Sequence, residues 1–277
     1  MASAELSALV GSPTAAVCPP GQCQFTGDWD SAVLLERSQQ THDTILLTFG
    51  LKDGSKPLGL STCACILAKI NEEGSPDPVV RPYTPVSTNA MTGKFQLFVK
   101  VYPGGKLSGH MQNMPIGAPL EFKHIDKNVK LQYPFGKKHL TMLVGGTGIT
   151  PMIQALHAVL GTPGDTTKVT MIFGNKKPED ILCKELLDSW SKEFPDRLKV
   201  VHVLSDAGED ASWTGPKGFI DQKLLSEHCA PASEDVMVMV CGPPPMYNAL
   251  CGPRDKPEEL TGTLSDLGFK VSQVYKF

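Results

Sequence analysis

The chain has 277 residues, 41% of them hydrophobic and 20% charged, with a net charge of −3. That length exceeds what one small core needs and predicts two domains, while the composition excludes a wholly disordered or collagen-like chain. A charge this near zero gives no global attraction to nucleic acid. The longest stretch free of acids and bases, Leu6–Gly27, contains Gly11, Pro13, Pro19, Pro20 and Gly21, so no transmembrane helix is expected.

Residues 1–24 carry neither Lys nor Arg, the first being Arg37, and Ala2 follows the initiator Met. They lack the basic start of a secretory signal, the arginines of a transit peptide and the glycine of a myristoylation site. They read as a flexible leader on a cytoplasmic protein. Eight cysteines (18, 23, 63, 65, 183, 229, 241 and 251) make no C-x-x-C pair or iron–sulfur run, and seven histidines make no pair at ligand spacing. No metal site is expected. Cys63 and Cys65, two apart, read as small hydrophobes on one side of a strand.

From Ser31 to about Tyr133, short β-branched or alternating runs predict strands at Ala32–Arg37, Thr44–Phe49, Cys63–Ile70, Val79–Tyr83, Phe95–Val101 and Leu120–Lys123. Asp53-Gly54, Glu73-Gly74 and Gly104-Gly105 punctuate them, and only Leu107–Asn113 suggests a helix. This rhythm predicts an antiparallel β-barrel over residues 25–138.

After His139 the runs are almost wholly apolar: Leu140–Val144, Val169–Phe173, Leu198–Leu204 and Val236–Val240. Such strands belong to a parallel sheet covered on both faces. Helices are expected between them at Pro151–Leu160, Pro178–Glu193 and Asp221–His228. Residues 139–277 therefore read as a doubly wound α/β domain.

Leu143-Val144-Gly145-Gly146-Thr147-Gly148-Ile149-Thr150-Pro151 ends an apolar strand in glycines and opens a helix, with Thr150 as N-cap and Pro151 at N1. Such a loop lets backbone approach a phosphate-bearing ligand, although an ordinary tight turn would read the same. Cys241-Gly242-Pro243-Pro244-Pro245-Met246 repeats the pattern after another strand. In an open α/β sheet both lie at the carboxyl edge, where ligands bind. Cys251-Gly252-Pro253 lacks a preceding strand and reads as a plain turn.

Arg81-Pro82-Tyr83-Thr84-Pro85-Val86-Ser87, Gly104-Gly105-Lys106-Leu107-Ser108 and the two loops just described occur in this order. Together they resemble the NADH–cytochrome b5 reductase family of the ferredoxin–NADP reductase superfamily, close to the flavin part of nitrate reductase, from about Phe25 to Phe277. The resemblance implies FAD in the barrel and NADH in the sheet, with NADPH as the alternative. It implies that Arg81 pairs with a flavin phosphate, that Pro82 and Tyr83 pack against the flavin, and that Thr84 bonds near its N5 edge. Gly105, Lys106, Leu107 and Ser108 would serve the pyrophosphate, with Phe98, Lys100 and Tyr102 beside the cofactors. Thr147 and Cys241 would flank the nicotinamide in a slot shaped by Gly146, Gly148, Gly242 and Pro243. Thr150 would reach the flavin side, and Phe277 looks like the family's terminal aromatic. Thr84, Lys100 and Cys241 are the residues expected nearest the chemistry.

The implied reaction is hydride transfer from NADH to FAD and single-electron release to cytochrome b5 or a similar small acidic haem protein. A reductase component for nitrate reductase, a desaturase or a quinone is the alternative, as is a redox-silent flavin subunit. Asp206 would favour NADH, whereas Ser205 and Asn175-Lys176-Lys177 would welcome an added phosphate. Residues 94–138 hold eight lysines against Glu121 and Asp126, a local excess able to steer an acidic partner or simply a solvated surface. The family's G-P-x-G-x-x-x-Y segment is altered here over Phe122–Tyr133, where only Tyr133 remains. The protein is expected to be a monomer.

Overall fold

The computed structural model describes residues 11–16, 22–72, 74–125, 131–207 and 213–277. Cys18 and residues 126–130, with Lys127 and Lys130, lie outside the described residues. Two compact units emerge: residues 1–134 with 153–163, and residues 135–152 with 164–277.

The first unit is built on β1 (Asp30–Gln39), β2 (Thr44–Gly50), β3 (Ile66–Ile70), β4 (Val79–Tyr83), β5 (Lys94–Lys100) and β6 (Pro119–His124), with α1 (Lys106–Asn113) between the last two. The sheet order is β4-β3-β6-β1-β2-β5, and every neighbouring pair is antiparallel. Alternation sorts the faces: Ala32 and Leu34 of β1 are buried while Ser31, Val33 and Leu35 are exposed. The inward face closes on four phenylalanines, with Phe49 and Phe122 at a ring separation of 5.0 Å and Phe25 and Phe95 at 5.8 Å. Edge-to-face contacts of this kind add to the burial of the rings themselves. Beyond β4, Val86 N–H donates to Gln96 O (2.9 Å) and Gln96 N–H to Ser87 Oγ (2.9 Å). The two sheet edges are thus joined by the segment that follows Tyr83, giving a half-barrel.

One sequence expectation is corrected in this unit. Cys63 is not in a strand: it sits at φ +62 in the turn before β3, buried, whereas Cys65 is half-buried. The turn overrides the β-like run from Cys63 because only Ile66–Ile70 finds partners in β4 and β6. Within the expected leader, the described residues 11–16 and 22–24 make backbone contacts with the rest of the unit. Thr14 N–H donates to His157 Nδ1 (3.1 Å), and Gln24 N–H donates to Leu58 O (2.8 Å).

The second unit holds β7 (His139–Gly145), β8 (Lys168–Asn175), β9 (Leu198–Leu204), β10 (Val236–Cys241) and β11 (Val274–Lys276). They form a sheet of order β11-β10-β7-β8-β9 with every pair parallel. The helices are α2 (Ile149–Gly161), which starts in this unit while its residues 153–161 belong to the first, α3 (Lys184–Glu193), α4 (Gln222–His228), α5 (Pro244–Leu250) and α6 (Thr263–Asp266). Asp221 caps α4, its carboxylate accepting from Leu224 N–H at 2.9 Å.

Three local expectations differ here. A 3-10 turn over Gly146–Gly148 leads directly into α2, so Thr150 is not its N-cap but lies buried inside the first turn. The helix expected over Pro178–Glu193 divides into a 3-10 turn, Pro178–Asp180, and α3. Cys183, buried at φ +57, breaks it, and a non-glycine residue in that region cannot continue a helix. Strand β11, only three residues long, is too short to read from periodicity.

Candidate functional site

In the second unit the chain goes from β7 to β8 and β9 on one side, then returns to β10 on the other. The switch point therefore lies between the carboxyl ends of β7 and β10, where open α/β sheets bind ligands. Cys241 is in register with Val144 across these two strands, so both glycine loops leave the sheet side by side. Their packing is close. A Cβ at Gly145 would meet Pro243 Cδ at 2.7 Å, and one at Gly242 would meet Met246 Sδ at 2.6 Å. One at Gly148 would collide with the Cys241 carbonyl. Gly146 is different, because at φ +53 its α-carbon faces open space. Thr147, Cys241 and Gly242 are half-buried, Pro243 is exposed, and Thr150 Oγ1–H donates to Thr147 O at 3.3 Å.

Phe277 N–H donates to Val240 O (3.1 Å), which seats it beside the end of β10. The Tyr247 hydroxyl, on α5, lies 2.7 Å from Phe277 O and 3.1 Å from Val240 O. Tyr247 escaped the sequence reading, since nothing in its local pattern separates it from core residues, while Met246 was read only as the end of the Cys241–Met246 loop.

At the far end of β9, Ser205 N–H donates to Asn175 O (3.0 Å) and Asp206 N–H to Lys176 O (2.9 Å). Asp206 therefore shares one exposed corner with the Asn175–Lys177 loop, so the acid and the basic loop are neighbours. Gly218 N–H donates to Leu204 O (2.8 Å), which brings Phe219 to the same corner with 80% of its surface exposed. A lone Phe between Gly218 and Ile220 carries no sequence signal.

In the first unit, Arg81, Pro82 and Tyr83 are on β4, paired with β3 through Ala68, Leu67 and Ile66. Arg81 and Pro82 are exposed, and Tyr83 and Thr84 half-buried. Arg81 Nη1–H donates to Val80 O at 2.7 Å. Burial pushes the Tyr83 phenol up to about 12, while Arg81 pulls the other way, so this ring stays neutral. Gln154, a further residue the sequence did not flag, donates through Nε2 to Pro85 O and Ser87 O.

Tyr102 to Gly105 form a tight turn (Gly105 N–H to Tyr102 O, 2.8 Å) that leads into α1. That helix has Gly105 as N-cap, no side-chain cap and no acid in its first turn. Its leading amides and positive dipole end are thus left for an anion. Lys106 adds charge but is tied to Glu72 (2.6 Å). Leu107 and Ser108 are buried, the serine hydroxyl lying 3.4 Å from Tyr102 N and 3.5 Å from Gly105 O. Ser108 is folded back on its own turn. Phe98 is also buried, at 3% exposure. Lys100 is not a free surface charge, because it pairs with Asp43 at 2.6 Å. Burial pushes the Asp43 carboxyl up, yet bonds from Lys100, Thr44 and Thr41 hold it below its ordinary value.

The lysine-rich segment is less basic than its count. Lys100, Lys106 and Lys138 pair with Asp43, Glu72 and Asp235, all outside the segment. Lys123 lies 4.9 Å above the Trp29 ring. Among the described residues no group of three or more His, Cys, Asp or Glu could hold a metal, and no helix is long and apolar enough to cross a membrane.

The uncapped α1 start beside an exposed arginine suits a diphosphate, and the open α-carbon of Gly146 suits close approach by a flat ligand. The known proteins agree with both halves. Residues 31–133 match the oxidoreductase FAD-binding domain and residues 142–252 the oxidoreductase NAD-binding domain. The chain is 39% identical to NADH-cytochrome b5 reductase 2 of Candida albicans, over 91% of this chain and 84% of that one. It is 41% identical to the Aspergillus clavatus protein of the same name, over 91% and 80%. The chain belongs to the NADH–cytochrome b5 reductase family. Among solved structures, the cytochrome b5 reductase domain of Ulva prolifera nitrate reductase superimposes with a TM-score of 0.76 at 29% identity. That match covers 95% of this chain and all of that one. The family, the FAD and NAD domains and their order are those the four motifs implied.

Proposed function

We propose that this family member is an FAD-dependent NADH–cytochrome b5 reductase. Bound FAD would supply the chemistry that links hydride donation by NADH to one-electron delivery to the acceptor. The observation that carries the reading is the interlock of the Gly145–Gly148 and Cys241–Met246 loops at the sheet's switch point. A flavin-binding subunit with no nicotinamide partner would have no use for it.

The chain's own residues bind and orient. Arg81 and the α1 amides Lys106–Ser108 hold the pyrophosphate, a planar guanidinium and a helix start being suited to that anion. Tyr83, kept neutral by burial, packs against the flavin, with Pro82 and Thr84 along its edge. Thr147, Cys241, Gly242 and Pro243 form the nicotinamide slot. Asp206 binds the adenosine ribose, and Phe219 offers an apolar face for adenine. Lys100 acts with Asp43 as an ion pair rather than a lone cation. The acceptor is a small acidic haem protein met by a monomer. Because half of the six described lysines of residues 94–138 are paired, steering by them is weaker than their number implies.

The test is anaerobic addition of NADH to the yellow holoprotein, followed by cytochrome b5. Immediate bleaching and then haem reduction are expected. A flavin that stays yellow would leave only the binding-subunit reading standing.

A further inference from the structure

Tyr247 is a buried phenol that none of the family motifs uses, only 1% exposed and set in the core with Leu143, Val240 and Leu250. Its oxygen lies 2.7 Å from Phe277 O and 3.1 Å from Val240 O. The same hydroxyl stands next to Cys241 and Gly242, the two residues that follow Val240. One group therefore touches both the residue that ends β10 and the residue that follows β11.

The surroundings explain why that matters. Phe277 is held otherwise by one backbone bond to Val240 and by an edge contact with the Tyr275 ring at 4.8 Å. The preceding residue is clamped more strongly. Lys276 Nζ donates to Pro253 O (2.9 Å), Lys256 O (3.0 Å) and Glu259 O (2.7 Å). The strand is thus pinned through Lys276, and among the described residues the side-chain hydrogen bond to Phe277 O comes from Tyr247.

We propose that the Tyr247 hydroxyl is a positioning group that couples Cys241 to Phe277, so that the thiol and the aromatic ring are placed as one unit. The proposal rests on the reading of Cys241 and Phe277 as nicotinamide-side residues. Tyr247 touches no reacting atom. It acts through its two neighbours.

Tyr247→Phe keeps the ring and removes only the tether, while a chain ending at Lys276 removes the tethered residue. In the FAD-loaded protein, iodoacetamide labelling of Cys241, read by peptide mapping, should quicken about fivefold or more in either variant. In the double variant it should quicken no further. Amide exchange over residues 274–277 should quicken in Tyr247→Phe, and its kcat/KM for NADH should fall about fivefold. That fall should vanish in the background ending at Lys276. Wild-type labelling of Cys241 in either variant, or effects that simply multiply, would overturn the coupling. The labelling and exchange arms need no turnover. A wild-type holoprotein that NADH fails to bleach would therefore count against the reductase reading alone.

Discussion

Gly148 lies against the carbonyl of Cys241 so closely that no side chain fits between them. The helix α2 start and the end of β10 consequently behave as one rigid piece. Gly148→Ala should force the loops apart at a cost of about 1–3 kcal/mol, the usual range for overpacking. We expect a lowered Tm and a kcat/KM for NADH reduced at least about tenfold, with FAD still bound. Thermal unfolding and steady-state assays check both, and an unchanged KM and kcat would refute the interlock as the basis of the slot.

Arg81 is exposed on β4 beside a half-buried Tyr83. A charge-assisted bond to a phosphate contributes about 1.5–3 kcal/mol, so Arg81→Ala should weaken FAD binding by about 10- to 100-fold. Fluorescence of released flavin on dilution measures this. Arg81→Lys should recover only part of the affinity, because a point charge lacks the planar fork.

The Asp206 corner predicts a switch in nucleotide choice. Asp206 N–H bonds to Lys176 O, so removing the carboxylate leaves basic side chains at the same place. Asp206→Ser should shift the ratio of kcat/KM for NADPH over NADH by at least about tenfold. A ratio that does not move would show that Asp206 does not face the ribose.

His157 gives stability a pH dependence of known sign. Burial lowers its pKa to about 4, whereas the unfolded chain protonates near the ordinary value of about 6.5. Between those values the unfolded state binds more protons, so stability falls as pH falls through the window and levels off below it. From pH 7 to pH 5 the loss is about 2 kcal/mol. Burial lowers His202 as well, which adds to the slope. His157→Gln should flatten the curve of Tm against pH, and exchange at residues 11–16 should report release of Thr14.

The sequence made the strands legible because alternation in the first unit and apolar runs in the second follow from which faces are buried. Ser31–Leu35 and Leu140–Val144 are examples. Position within a turn was less legible. Thr150 looked like a cap, but the glycines before it already coil into a 3-10 turn. Cys183 looked helical, yet its backbone is left-handed. The glycine loops announced themselves, since close backbone approach needs that residue type. Lys100, Lys106 and Tyr247 were not legible as paired groups, because Asp43, Glu72 and Phe277 are distant in sequence and meet them only after folding.

Gly161 has a quieter consequence. A Cβ there would press on the backbone of Pro13 and Thr14, so the segment 11–16 seats on bare main chain. Recognition at that point depends on outline instead of on particular side-group identities. Over evolutionary time position 161 must therefore stay without a side chain if that stretch is to keep its seat.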